Sequence, residues 1–134
     1  MADFSTDVTA WVQRAGTRAN LAFRVIASDL VAQVQLRTPV DTGYLRSNWS
    51  AILQGEEEPV AGRTPPADNA IDRAKVGQVI IILNPVIYAR RIEYGFVGED
   101  SLGRYYNQSG RHMVAQTLAE IQPIAEAALR RVLT

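Results

Sequence analysis

Between Val8 and Arg37 the apolar residues Val8, Trp11, Val12, Ala15, Ala22, Phe23, Ile26, Leu30 and Val34 recur at steps of three and four, the spacing that lays one apolar stripe along an α-helix. The pattern predicts a long amphipathic helix. Ser5 or Thr6 offers an oxygen to its first amides, and Asp7 places a negative charge at its positive end. Thr38-Pro39 forces the residue before proline out of helical geometry and closes it. At about 1.5 Å per residue such a helix is roughly 45 Å long, more than a compact domain of this size spans. Part of it is therefore expected to project beyond the core, or the helix to bend, with Gly16 as the weak point.

Pro39-Val40-Asp41-Thr42-Gly43 has turn chemistry, since proline presets φ, aspartate bonds nearby amides and glycine accepts a left-handed backbone. Beyond it Leu45, Trp49, Ala51 and Leu53 share one parity and Arg46, Asn48, Ser50 and Gln54 the other, which predicts a half-buried strand with Ile52 as its misfit. The segment from Gly55 through Glu56, Glu57, Glu58 and Pro59 to Pro66 is acidic, proline-rich and poor in apolar residues, and is expected to be an exposed loop. Asp68 to Lys75 adds at most a short helical turn.

Val79-Ile80-Ile81-Ile82-Leu83 is a continuous apolar run that suits a central strand covered on both faces, by helices or by a partner subunit. Asn84-Pro85 supplies a cap and a first-turn proline, and Gly95 a stop, bracketing Val86 to Tyr94 as a short helix. Phe96 to Gly110, with three glycines and Tyr105-Tyr106, reads as a loop or a short hairpin. From Arg111 to Leu133 helical spacing returns, with Pro123 expected to kink or divide the helix near Ile121. These elements define an α/β (α+β) chain of one domain over residues 1–134: a small, mainly antiparallel sheet packed by the long first helix, a short middle helix and a C-terminal helix, with exposed loops at about 55–76 and 96–110.

Composition narrows the function. The 134 residues are 47% hydrophobic and 21% charged, with 14 basic against 14 acidic side chains; the chain is globular in kind, and zero net charge removes the simplest case for a nucleic-acid binder held by bulk positive charge. The absence of cysteine excludes disulfides, thiolate metal sites and cysteine nucleophiles. Every basic residue but Lys75 is arginine, which favours fixed, forked contacts. Residues Met1 to Asp7 show no basic, then apolar, leader pattern, and no apolar run reaches the ~18 residues of a membrane helix, so a cytoplasmic product is expected.

No constellation for catalysis, metal or cofactor emerges. His112 stands without a cysteine or acidic cluster and reads as structural or exposed. Adjacent glutamates in a loop do not hold the fixed separation that acid and base catalysis needs, so Glu56, Glu57 and Glu58 read as a solvated charge run. The glycines at 95, 98 and 103 lack the strand-then-helix order of a phosphate loop, and the serines lack a nucleophile elbow. Trp11 and Trp49 read as core residues, each with the alternative of anchoring a partner. Arg90, Arg91, Glu93 and Tyr94 share a short capped helix. They read either as a solvated face with i to i+3 pairing or as a subunit contact, arginine and tyrosine being favoured interface anchors.

Two segments together carry a resemblance: Thr38-Pro39-Val40-Asp41-Thr42-Gly43-Tyr44-Leu45-Arg46-Ser47-Asn48-Trp49 after a long helix, and Tyr88-Ala89-Arg90-Arg91-Ile92-Glu93-Tyr94-Gly95 after an apolar strand. In order and spacing, over roughly residues 10 to 130, the chain resembles the neck, or tail-completion, family of long-tailed bacteriophages, also labelled putative tail-component or head-tail joining proteins. Phe96 to Gly110 departs from it, being longer and richer in tyrosine. The resemblance implies a small structural virion protein without enzymatic activity or cofactor. It would form a homo-oligomeric ring, hexamer or dodecamer, at the head-tail junction. Its partners would be a head-closure or connector protein on one side and a tail terminator or tail tube protein on the other. DNA would pass through the lumen without sequence recognition, and a neutral chain suits that passage because a strongly basic lumen retains the duplex. Arg90, Arg91, Glu93 and Tyr94 are then expected at subunit contacts, Glu56, Glu57 and Glu58 facing the lumen or a neighbouring ring, and Thr38, Pro39, Asp41, Thr42 and Gly43 shaping the start of the strand. Two alternatives stay open: a tail terminator capping the tube, or a small DNA-binding module using its arginines and stacking Tyr105-Tyr106 on bases.

Overall fold

A computed structural model describes residues 4–40, 43–99 and 101–133. Helix α1, Phe4–Leu36, runs unbroken through Gly16 and is roughly 50 Å long at about 1.5 Å per residue. It begins before the sequence pattern indicated, so Ser5 and Thr6 lie within it. Burial starts only at Ala22, followed by Ala27, Val31 and Val34, and the portion over residues 8–19 is exposed except at Ala10. The helix therefore projects, as its length demanded. Trp11 goes with the projecting part: it is 64% exposed and belongs to no core, against expectation.

The strand expected from Leu45 onward starts later. Tyr44–Ser47 forms one helical turn, α2, preceded by Gly43 in the left-handed region, and only Ser50–Leu53 is strand β1. β1 pairs antiparallel with β2, Ile80–Leu83, in the register Ser50–Leu83 to Leu53–Ile80. Helix α3, Asp68–Ile71, packs on β1 and buries Ala70 and Ile71, so the segment 55–76 ends in an ordered turn that serves the core. Ile52, the misfit in the alternation, is buried too, because β1 is covered on both faces. Within its own chain β2 is not covered on both faces. It is one of only two strands in its sheet, and Ile81 is exposed.

Asn84 Oδ1 accepts the Val86 amide at 3.1 Å, but the chain makes a further turn before helix α4, Ala89–Tyr94. Gly95 ends α4 as expected. The segment 96–110 is a β-hairpin and not a loop: β3, Gly95–Glu99, pairs antiparallel with β4, Tyr105–Ser109. Gly95 and Gly110 sit where the hairpin crosses α4. A Cβ on Gly95 would meet the Gln108 carbonyl oxygen at 2.6 Å, and one on Gly110 the Glu93 carbonyl oxygen at 2.5 Å, so both positions exclude any side chain.

Helix α5, Met113–Ala119, and helix α6, Ile121–Leu133, are divided at Glu120. Pro123 is the cause. It has no amide to give the Ala119 carbonyl, and its ring occupies the space that carbonyl would need. Arg37, at the end of α1, clamps the junction through Glu120 at 2.7 Å and Thr117 Oγ1 at 3.1 Å; α6 then returns along α1, where Arg131 pairs with Asp29. Two buried clusters result, one of Ala27, Val31, Ala51, Ala67, Ala70 and Ile71, the other of Val34, Leu45, Trp49, Val86 and Met113. Among the described residues six helices and two separate two-stranded antiparallel sheets make the fold α+β. Among the described residues no helix is long and apolar enough to cross a membrane.

Candidate functional site

Where α1 ends, Thr38 is buried and doubly used: its Oγ1 donates to the Val34 carbonyl at 2.7 Å and accepts the Trp49 indole N–H at 2.8 Å. The Thr38 carbonyl in turn accepts Arg46 Nη2 at 3.1 Å. Trp49 is thus a core residue with its one polar atom satisfied. Asn48, also buried, binds in three directions. Its Nδ2 donates to the Tyr44 carbonyl at 2.7 Å, and its Oδ1 accepts the Gly62 amide at 2.8 Å and the Thr64 hydroxyl at 2.7 Å. Asn84 Nδ2 donates to the Leu45 carbonyl at 2.7 Å. The segment from Thr38 to Trp49 is therefore an internal knot that fixes the helical turn α2 and the proline-rich loop. Pro39 lies at its rim, partly buried, while Asp41 and Thr42 lie outside the described residues.

The four residues assigned to subunit contact divide. Arg90, Arg91 and Tyr94 are exposed on α4, with the Arg90 guanidinium 5.9 Å from the Tyr94 ring centre and that of Arg91 3.9 Å from the Phe96 ring centre, a cation–π contact that ties α4 to the hairpin. Glu93 points inward. It is 7% exposed, and its carboxylate accepts the Val114 amide at 2.8 Å and the Ala115 amide at 3.2 Å. Those amides belong to the unpaired first turn of α5, so Glu93 caps that helix from a distant element and has the favourable sign for its dipole. This replaces both readings made for it, the i to i+3 pair and the subunit contact. Ile87, just before α4, is 97% exposed, the most exposed large apolar side chain of the described residues. The outer surface here is thus formed by Ile87, Arg90, Arg91 and Tyr94.

Glu56 is not a free member of a charge run. Its Oε1 accepts the Leu53 amide at 2.7 Å, and Arg73 reaches its Oε2 at 3.1 Å. The bond from the Leu53 amide, with a further contribution from the Arg73 charge and against some desolvation, holds the Glu56 carboxyl below the usual glutamate range. Glu57 and Glu58 are exposed beside it. His112 is exposed and takes a left-handed backbone before α5. Among the described residues no three His, Asp or Glu side chains converge to hold a metal ion.

A second exposed surface lies where α6 ends against the projecting part of α1. There Trp11, Arg14, Arg18, Leu129 and Leu133 border an open cleft of about 350 Å3. Sequence reasoning missed Asn48 and Arg37 as organising residues. The signal for Asn48 was faint, a single amide between a helical turn and a strand. For Arg37 it was a basic side chain directly before Thr38-Pro39. No protein-family model, no curated protein and no solved structure matches the chain.

Proposed function

We propose that this chain is a structural subunit of a ring at the head-tail junction of a long-tailed bacteriophage, a neck or tail-completion protein that works by binding and not by catalysis. One observation carries the reading beyond the resemblance of its two motifs: large apolar side chains are held out on rigid elements and left more than half exposed by their own chain. Trp11 and Val12 stand on the projecting part of α1, and Ile87 stands beside α4. Such surface favours contacts with other subunits. Arg90, Arg91 and Tyr94 supply the residue types that anchor such contacts, and Glu93 holds α4 in place behind them. Repeated around a closed ring, modest contacts sum to a stable assembly. Glu57 and Glu58, exposed on their loop, would face the lumen or the next ring, where negative charge does not hold DNA.

The test is a mass measurement on the purified chain alone and mixed with head-connector and with tail-tube subunits, together with its location in the virion. A closed hexamer or dodecamer joined to both partners supports a neck position, and one joined to the tube alone supports a tail terminator. A virion whose portal-to-tube junction lacks this polypeptide overturns the reading, as does retardation of duplex DNA at low salt by a chain that never forms rings.

A further inference from the structure

Charge sums to zero over the chain but is unevenly spread along it. Between Val8 and Ser28 helix α1 carries Arg14, Arg18 and Arg24 and no acid, and the last turn of α6 adds Arg130 and Arg131. Arg24 is used within the chain, on the Ala74 carbonyl at 2.8 Å, as is Arg131 on Asp29. Arg14 and Arg18 are not: both are exposed, and no hydrogen bond or ion pair among the described residues reaches either guanidinium. They rim the cleft between the projecting part of α1 and the end of α6. Trp11, Leu129 and Leu133 give that cleft apolar walls, and no acid is among the described residues that border it. A hollow of this make-up suits apolar side chains accompanied by carboxylates, because arginine holds a carboxylate through a fork of two N–H bonds.

The same chain carries the complementary surface. Gly55 to Val60 holds three glutamates and no base. Glu56 is tied to the Leu53 amide and to Arg73, which fixes the root of the loop. Glu57 and Glu58 are exposed, with no bond or ion pair among the described residues, and Val60 just beyond them is an exposed apolar side chain. Asp68 and Asp72, the other closely spaced carboxylates, are flanked by the buried Ala70 and Ile71 and by the bases Arg73 and Lys75. We propose that the loop at 57–60 of one copy seats in the α1–α6 cleft of the next, with Glu57 and Glu58 on Arg14 and Arg18 and Val60 against Trp11 and Leu133. Exposed ion pairs add little attraction apiece but select partner and register, so burial of Trp11, a favoured anchor, supplies most of the attraction. Cleft and loop are different surfaces, so the contact is head-to-tail, the type that closes into a ring. The proposal rests on the ring reading and gives the acidic loop a neighbouring copy to face, not the lumen.

The test reverses the charge of each surface in turn. In sedimentation velocity, alone or mixed with head-connector and tail-tube subunits, the unaltered chain should associate at about 50 mM salt and less so at about 500 mM, where exposed charges are screened. Arg14→Glu/Arg18→Glu and Glu57→Arg/Glu58→Arg should each weaken that association about tenfold or more. Mixed in equal amounts, the two variants match an unaltered loop with an unaltered cleft and a reversed loop with a reversed cleft. Association should then return to within about threefold of the parent, which also shows that the substitutions spare the fold. Either variant associating like the parent overturns the proposal, as does weakening of both without rescue. Because the chain has no cysteine, thiols give the second measurement. Gently oxidised, Val60→Cys with Leu133→Cys should yield about five times or more the mixed dimer of Val60→Cys with the exposed control Ile87→Cys. Equal yields overturn the contact, as does a parent that stays monomeric both alone and with its partners. Rings built equally well by both charge variants overturn the contact and leave the ring standing. Charge-rescued association of a chain absent from the virion supports the contact and removes the phage assignment.

Discussion

Replacing Glu93 tests whether a single side chain on α4 holds the start of α5. In Glu93→Ala the Val114 and Ala115 amides lose the acceptors they now have at 2.8 and 3.2 Å, and the buried space of the carboxylate is left empty. Losing a helix cap costs ~1–2 kcal/mol, and bonds to a charged acceptor are the stronger kind. Water reaches the exposed first turn of α5 and recovers part of this, so the net loss is about 2–3 kcal/mol. For a chain of this length the unfolding entropy is roughly 0.28 kcal/mol per degree, which converts the loss into a fall in Tm of about 7–11 °C. Glu93→Gln keeps one acceptor and should lose about 1 kcal/mol, whereas Arg90→Ala should stay within about 0.5 kcal/mol of the parent. Urea unfolding followed by circular dichroism measures all three. A Glu93→Ala protein within about 0.5 kcal/mol of the parent, or an Arg90→Ala loss equal to that of Glu93→Ala, refutes the cap and restores the local ion pair.

Three further outcomes follow from the same structure. Thr38→Val removes the acceptor of the buried Trp49 indole N–H and should cost about 1–3 kcal/mol, with Thr38→Ser milder; the Trp49 fluorescence in a Trp11→Phe background reads both. Gly95→Ala puts a Cβ against the Gln108 carbonyl at a positive φ of 84°, and should destabilise by about 2–3 kcal/mol with faster amide exchange throughout the hairpin. The lowered Glu56 carboxyl stabilises its turn above the ordinary glutamate range, and that contribution is lost as pH falls through the group's own, lower value. Protection of the Leu53 amide, corrected for intrinsic exchange, should therefore persist through the ordinary glutamate range and fall only below it, and Glu56→Gln should flatten the profile.

The long helix and the division of the C-terminal helix were legible because each rests on local chemistry: a stripe of apolar residues over many turns, and a proline whose missing amide acts four residues back. Leu45 and Trp49 misled because a separation of four satisfies strand parity and helical spacing alike. The choice fell to Asn48, Ser47 and Arg46, whose side chains bond backbone carbonyls around the turn. Glu93 was illegible for another reason. Its partners lie more than twenty residues on, and nothing local distinguishes an inward glutamate from one paired with Arg90. Trp11 continued an apolar stripe whose period was right, but periodicity says nothing of where the core stops. The apolar run at β2 was read correctly as strand, but its own chain covers it only in part, since composition does not reveal how many neighbours a strand has.

The projecting part of α1 is also a lever. From Ala22, where burial begins, to Phe4 is about 27 Å at the rise of a helix. A tilt of about 10° at that fulcrum therefore carries the far end through about 5 Å, close to one helical pitch. A neighbour gripping Trp11 would feel a slight adjustment of the body as a displacement large enough to exchange one set of contacts for another.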